Sequence, residues 1–212
     1  MGLLLHSAWR ASAPYRVRIG LNLKGLSYDY APVDLVAGQQ GGEVYGAVNA
    51  QHLVPALEAD GHVLTQSLSI LEWLDETYRE PPLLPKDPFD WQVVRAMSGI
   101  VACDIHPLNN LRILKTLARL EVGQEAVDDW VQRWISDGFT ALEPMVARHG
   151  ASYAFGDSPT MADCLIVPQV YNARRFKVDL SPFPAIIGAA DHAVKHPAIA
   201  AAHPNNQPDA IV

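Results

Sequence analysis

The sequence predicts an α/β domain followed by an all-helical domain. Three observations lead to this fold class: strand and helix patterns alternate within residues 1–80, four prolines fall within residues 81–88, and strand patterns are absent beyond them. Because so many prolines cannot continue a helix, they mark a boundary. We therefore place an α/β domain at residues 1–80, a proline-rich linker at 81–90 and an all-helical domain at 91–212.

The α/β domain begins with a strand–helix–strand unit. The apolar run LLLHSA predicts a strand, and the segment from Pro14 to Lys24 carries apolar residues at helical spacing. The extended pattern of YDYAPVDL predicts the next strand. This strand–helix–strand order predicts a parallel βαβ unit with a right-handed crossover.

A hairpin and a second helix complete this domain. The stretch LVPALEADGHVLT predicts two strands joined at Asp60-Gly61, because both residues tolerate the positive φ of a tight turn. From Gln66 to Tyr78, leucines 68, 71 and 74 share one helical face. If the hairpin joins the first two strands, the order β-α-β-β-β-α is that of a thioredoxin-like domain.

Helical periodicity dominates the second half of the chain. Apolar residues recur every three to five positions around Met97 and again from Trp130 to Val146. Pro107 predicts a kink within the first of these helices. Polar residues crowd around the kink and favour a site over a purely structural bend: His106, Asn109, Asn110 and Arg112. Thr160 and Asp163 predict a capping box at the start of a helix. This cap accounts for the Asp163 carboxylate, so we assign it no catalytic role.

Composition narrows the class of partner. The net charge of −7 argues against nucleic acid or an anionic membrane surface as the main partner. No apolar run approaches the roughly 20 residues needed to span a bilayer. The two cysteines, 103 and 164, show no metal-ligand spacing, so we expect no metal site and a cytoplasmic protein. The N-terminal residues lack the basic start of a signal peptide, so we expect no targeting segment.

Several motifs in order along the chain carry a family resemblance. They are RVRIGLNLKGLSYDY, LVPAL, QSLSILEWL, LLPKDP, GDSPTMADC, VPQVYNARRFKVDLSPFP and the late QPD. Together they resemble the zeta class of glutathione transferases, whose namesake activity is maleylacetoacetate isomerase. The resemblance implies glutathione as cofactor, a homodimer and a small dicarboxylate enone as substrate.

The resemblance also implies the residues that bind glutathione. Val54, before Pro55 in a cis-proline turn, pairs with the cysteinyl part through its backbone. Gln66 and Ser67 open a helix whose free amides suit the γ-glutamyl carboxylate, although Ser67 as a helix cap alone is the alternative. Asn110 and Arg112 complete the predicted glutathione contacts.

The start of the first helix is predicted to hold the thiolate. A helix N-terminus with cations nearby lowers a thiol pKa, and arginines stand at 10, 16 and 18. The zeta pattern is Ser-Ser-Cys-Ser, but this chain has Ala11-Ser12-Ala13-Pro14. The resemblance therefore assigns catalysis to Ser12 and Arg10, with helix amides as the alternative to the Ser12 hydroxyl.

Three residues are predicted to bind the substrate. Arg10 and Arg175 match arginines that the family places near the substrate, and His106 matches the IHPLNN of bacterial members. A surface charge is the alternative for Arg175, whereas Arg174 is expected to face solvent. The predicted reaction is glutathione-dependent isomerisation of maleylacetoacetate by reversible thiolate addition. Maleylpyruvate isomerase, a general glutathione transferase and a non-catalytic thiol-binding scaffold are the alternatives.

Overall fold

A computed structural model describes residues 2–211, which form two compact units. The first unit contains the residues up to Leu83 together with those from Lys195 onward, and the second runs from Leu84 to Val194. No helix among residues 2–211 is long and apolar enough to cross a membrane.

The first unit is built on a four-stranded mixed sheet. Its strands are β1 (Leu3–Ser7), β2 (Asp29–Pro32), β3 (Ala56–Ala59) and β4 (His62–Thr65), in the spatial order β2-β1-β3-β4. β1 is parallel to β2 and antiparallel to β3, which is antiparallel to β4. The helices are α1 (Ser12–Leu23), α2 (Glu43–Val48) and α3 (Ser67–Thr77). The predicted thioredoxin-like fold is confirmed.

Local sequence signals explain most of these elements. The β3–β4 turn has positive φ at both Asp60 (49°) and Gly61 (80°), as the hairpin prediction requires. Helix α2 was not predicted, because six residues are too few to display a helical period. In α3 the buried apolar face consists of Ile70, Leu71 and Leu74, while Leu68 is only half-buried.

Helices α1 and α3 pack closely against each other. A Cβ atom at Gly20 of α1 would lie 2.3 Å from the Leu71 side chain of α3, so a larger residue there would require Leu71 to shift. All but two of the α1 residues, Ala13 and Asn22, are buried. The burial includes Arg16 and Arg18, two charged side chains in the interior of the unit.

The residues from Lys195 onward belong to the first unit and not to the predicted all-helical domain. We expected the all-helical domain to extend to residue 212, but α9 (Pro197–Ala201) packs on α1 in the first unit. Asn22 Nδ2 donates to Ala198 O at 3.0 Å, and Arg18 Nε donates to Ala202 O at 3.1 Å. These are contacts between residues far apart in sequence, which periodicity cannot reveal.

The second unit is helical, as predicted. Its helices are α4 (Pro88–Gly99), α5 (Leu111–Arg119), α6 (Gln124–His149), α7 (Met161–Arg175) and α8 (Pro184–Ala193). Of the residues expected to recur along α6, Phe139, Leu142 and Val146 are buried, whereas Trp130 and Trp134 are half-buried. α8 packs on both α6 and α7.

The predicted kink at Pro107 is a complete break in the helix. After α4, the chain forms a π-helical turn at Ile100–Ile105 and a 3-10 turn at His106–Asn109, and α5 then begins. Pro107 has no amide to donate to an α-helical ladder. Asn110 then caps α5, because its side-chain oxygen accepts from the Arg112 amide at 3.1 Å.

The predicted capping box at the start of α7 is present. The Thr160 amide donates to Asp163 Oδ2 at 2.8 Å, and the Ala154 amide donates to Oδ1 at 2.9 Å. Burial raises the pKa of Asp163 to about 6, although these hydrogen bonds act in the opposite direction. Asp163 therefore has a structural role.

Candidate active site

Strand register brings the predicted glutathione-binding segments of the first unit to one end of the sheet. His6 of β1 pairs with Ala56 of β3, and Ala56 pairs with Thr65 of β4. The segments next to these residues therefore lie side by side: the loop 8–11 after β1, Val54-Pro55 before β3, and Gln66-Ser67 after β4. This end of the sheet, with the starts of α1 and α3, is called the helix-start site below.

Helix α1 begins without a side-chain cap. Its N-cap residue is Ala11, with an extended backbone (φ −74°, ψ 132°) and no capping oxygen. Helix geometry leaves the first amides, those of Ser12 and Ala13, without an acceptor inside the helix. Ser12 itself is buried at the first helical position. Two amides and one hydroxyl are thus concentrated where the helix dipole is positive.

Helix α3 begins in the same way. Its N-cap residue is Gln66, which provides no side-chain cap and has a positive φ of 67°. Its carboxamide instead donates from Nε2 to Gln51 Oε1 at 2.8 Å. Ser67 is the first helical residue, directly after the N-cap Gln66. The start of α3 therefore suits an anion.

A buried arginine connects the two helix starts. Arg16 lies one turn after Ser12 on α1 and is 2% exposed. Its Nη1 donates to Ser67 Oγ at 3.2 Å. Residues four apart in a helix share a face, so Ser12 and Ser67 both lie beside the Arg16 side chain. This guanidinium adds positive charge between the two uncapped helix starts.

The Val54-Pro55 peptide bond is cis. The preceding residue is fixed because Leu53 O accepts from Tyr45 Oη at 2.8 Å and from Asn49 Nδ2 at 2.7 Å. Burial raises the pKa of Tyr45 to about 12, which keeps its hydroxyl protonated at neutral pH. Val54 is thus held next to the loop that follows β1.

Arg10 lies in the turn between β1 and α1 and is exposed. Its guanidinium carbon is 5.1 Å from the centre of the Trp9 ring, a cation–π distance. The side chain is therefore accessible to solvent and lies two residues before the start of α1. That arrangement suits a carboxylate-bearing substrate approaching the helix-start site.

The remaining predicted residues belong to the second unit. His106 opens the 3-10 turn, Asn110 caps α5 and Arg112 is an exposed residue of α5. Because Asn110 Oδ1 accepts from the Arg112 amide, its Nδ2 is the group left to donate to a ligand. Asn109, which the sequence places near the kink without an assigned ligand, is 9% exposed, and its side-chain amide atoms have no hydrogen-bond partner among residues 2–211.

The two neighbouring arginines at the end of α7 have different contacts. Arg174 Nη2 donates to Asp191 Oδ1 at 2.8 Å in an ion pair whose side chains are about half exposed. Arg175 is also exposed, with its guanidinium carbon 5.6 Å from the Phe176 ring centre. The surface pair with Asp191 gives Arg174 a structural partner, as its predicted solvent-facing position allows.

The sequence indicated Arg16 and Arg18 as cations near the start of α1 but did not predict that both are buried. Arg16 and Arg18 alternate with the buried apolar residues Val17 and Ile19. A charged residue inside such an apolar run is the signal that could have indicated their burial, because arginine is rarely buried without a specific partner. No cluster of metal-ligating side chains occurs among residues 2–211.

Comparison with known proteins supports the resemblance. Residues 8–82 match the model of the glutathione S-transferase N-terminal domain. The chain is 47% identical over 210 residues to maleylpyruvate isomerase of a Ralstonia species, covering 97% of this chain and 98% of that protein.

Two solved structures are also similar. A zeta-class maleylpyruvate isomerase in its holo form has a TM-score of 0.96 and 45% identity, with 98% of this chain and 100% of that one covered. The maleylacetoacetate isomerase of Anaeromyxobacter dehalogenans 2CP-1, with glutathione bound in its active site, has a TM-score of 0.91 and 42% identity, with 99% and 98% covered.

Proposed function

The chain belongs to the zeta class of glutathione transferases, and on that premise we propose that it isomerises maleylacetoacetate to fumarylacetoacetate with glutathione as cofactor. One observation carries the proposal: the uncapped starts of α1 and α3 converge beside cis Val54-Pro55, with the buried Arg16 between them.

The donor groups of the helix-start site fit glutathione, which carries a thiol and carboxylates. The start of α3, with Gln66 and Ser67, provides amides and a hydroxyl for the γ-glutamyl carboxylate. Arg16 neutralises part of that charge from the protein interior. Val54 offers its backbone to the cysteinyl part. In the helical unit, Asn110 and Arg112 are the proposed additional glutathione contacts.

When bound, glutathione supplies a thiolate that adds reversibly to the conjugated double bond and so permits rotation about it. The protein's part is to favour the ionised sulfur at neutral pH. The Ser12 hydroxyl and the first α1 amides donate to negative charge at that position, and the dipole of α1 favours it further. These donors are fixed by the fold, so they need no rearrangement during the reaction.

Arginine side chains are proposed to hold the substrate. Arg10 presents a planar fork to one of its carboxylate or enol oxygens beside the α1 start. Arg175 and His106 of the helical unit are assigned to the rest of the substrate, as the family resemblance implies. The first unit therefore provides most of the proposed glutathione contacts, and the helical unit provides most of the proposed substrate contacts.

Maleylpyruvate is the second candidate substrate, favoured by the 47% identity to a maleylpyruvate isomerase. The test is parallel turnover of both maleyl compounds with and without glutathione. We expect a higher kcat/KM for maleylacetoacetate and no turnover of either compound without glutathione. A higher kcat/KM for maleylpyruvate would reverse the substrate assignment. No turnover of either compound, with or without glutathione, would favour the non-catalytic scaffold.

We also propose that the protein is a cytoplasmic homodimer. The family resemblance supports the dimer, and the two cysteines, far apart at 103 and 164 without a C-x-x-C motif, support the cytoplasm. Sedimentation equilibrium should give twice the 23.2 kDa mass of one chain. A mass of one chain over the working concentration range would contradict the dimer.

A further inference from the structure

A carboxylate from the last residues of the chain is bound next to the helix-start site. Asp209 Oδ2 accepts from the Trp9 amide at 3.0 Å, across 200 positions of sequence. Its other oxygen, Oδ1, accepts from the Tyr30 hydroxyl at 2.6 Å. Both contacts lie within the first unit. The Asp209 carboxylate thus joins β2 to the loop between β1 and α1.

The opposite side of the Trp9 residue is held by Arg18. Arg18 Nη2 donates to Trp9 O at 2.9 Å, and its Nη1 donates to Ser7 Oγ at 3.1 Å. Arg18 is fully buried, and burial lowers its pKa while nearby tyrosines and Asp209 act in the opposite direction. The Trp9 amide therefore donates to a carboxylate, and the Trp9 carbonyl accepts from a guanidinium.

This fixed residue stands directly before the proposed catalytic groups. Arg10 follows Trp9 and stacks on its ring, and Ser12 begins α1 two residues later. The Ala11 amide closes the turn by donating to Ala8 O at 3.0 Å. The direction of Arg10 and the start of α1 thus depend on how the Trp9 backbone is held.

We infer that Asp209 is a positioning residue for the isomerase: through the Trp9 amide it sets the positions of Arg10 and Ser12. The inference rests on the proposed function for its catalytic consequence. Its structural basis, the contact of Asp209 with the loop 8–11, does not depend on that function. Asp209 is assigned to neither proposed ligand, and it acts through the Trp9 backbone.

A positioning role and a merely stabilising role predict different results. If Asp209 only anchored the residues after Lys195, its removal would lower the unfolding temperature and leave the glutathione thiol pKa unchanged. If it positions the loop, its removal should also misalign the α1 donors. The thiol pKa would then rise, and the acidic limb of the kcat/KM profile would move to higher pH.

The experiment compares four variants of the full chain with the parent. Asp209→Ala removes both contacts, and Asp209→Asn keeps an oxygen acceptor. Tyr30→Phe removes the hydroxyl that donates to Oδ1 and leaves the bond from the Trp9 amide in place. Asp87→Ala is the matched control, since the Asp87 carboxylate also accepts a backbone amide, that of Phe89 at 2.9 Å, but at the start of α4. The readouts are hydrogen exchange of residues 8–12, without glutathione, and the pH profile of kcat/KM.

In Asp209→Ala we expect the amide hydrogens of residues 8–12 to exchange about 10-fold faster than in the parent. We also expect kcat/KM at neutral pH to fall on the order of 10-fold. The acidic limb should move to higher pH, with partial rescue in Asp209→Asn and a smaller change in Tyr30→Phe. Asp87→Ala should lose stability without either change. If Asp209→Ala does not fold, Asp209→Asn should still show a measurable shift in the same direction.

Two kinds of failure are distinguishable. A parent protein that turns over neither maleyl compound contradicts the proposed function. An active parent whose Asp209→Ala variant exchanges residues 8–12 at the parental rate, or keeps the parental pH profile, overturns the inference about Asp209 while leaving the proposed function intact.

Discussion

Replacing Ser12 by alanine tests the source of thiolate stabilisation. Ser12 provides the hydroxyl at the start of α1, where the N-cap residue Ala11 offers no side-chain oxygen. A hydrogen bond to a charged group contributes about 1.5–3 kcal/mol, and one pKa unit corresponds to about 1.4 kcal/mol. We therefore expect Ser12→Ala to raise the pKa of the bound glutathione thiol by about 1–2 units.

The expected kinetic effect follows from the same free energy. Well below the thiol pKa, a loss of about 1.5–3 kcal/mol lowers kcat/KM by roughly 10- to 150-fold. The affinity for glutathione should change less, because the hydrogen bond strengthens as charge develops on sulfur. The control is Ser98→Ala, a buried serine in α4 whose hydroxyl donates to Val94 O at 2.8 Å.

The assay follows the ultraviolet absorbance of the bound thiolate as a function of pH, together with kcat/KM. A thiol pKa equal to that of the parent, with activity within about twofold, would refute the role of the Ser12 hydroxyl. The α1 amides would then be the sole donors. A similar loss in Ser98→Ala would show that removing any buried serine hydroxyl has this effect.

Two further predictions concern the helical unit. Arg175→Ala should reduce isomerisation by about 10- to 150-fold but spare conjugation of an uncharged electrophile, because only the dicarboxylate loses a charge-assisted hydrogen bond. Arg175→Lys should restore part of the lost isomerisation, and Arg174→Ala is the matched control. An equal loss of activity towards the dicarboxylate and the uncharged electrophile would contradict a role of Arg175 in substrate binding. For Asp163, the folded-state pKa of about 6 lies above the ordinary 3.8, so the folded protein binds this proton more tightly than the unfolded chain does. The contribution of the protonated Asp163 to the free energy of unfolding is therefore lost as pH rises from about 4 to 6. In urea unfolding, the free energy of unfolding of the parent should fall by about 3 kcal/mol relative to that of Asp163→Asn across this pH range. A difference between the two proteins that stays constant with pH would refute the raised pKa.

Elements with strong local signals could be predicted from the sequence. The β3–β4 hairpin follows from Asp60-Gly61, and α1 follows from apolar residues at helical spacing. Helix α2 is too short to show a period, and at Pro107 the pattern indicated a kink without showing that a new helix starts after Asn110. Local patterns predict an element's type better than its limits.

Contacts between distant residues could not be predicted in this way. The resemblance indicated Ser12, Val54 and Ser67, but strand register is what places their segments side by side. The bond between Arg16 and Ser67 spans 51 positions, and the bond from Trp9 to Asp209 spans 200. The late QPD motif contributed to the resemblance, while the role of its aspartate emerged only from these contacts.

The most direct test of the central claim is the recovery of glutathione during turnover. Maleylacetoacetate in large excess over glutathione should be converted completely to the trans product, with all glutathione recovered as the free thiol by nuclear magnetic resonance. This result is expected because the proposed thiolate is released in every cycle. Conversion that stops once the glutathione is consumed, with a stable conjugate as the product, would contradict the isomerase and indicate a transferase.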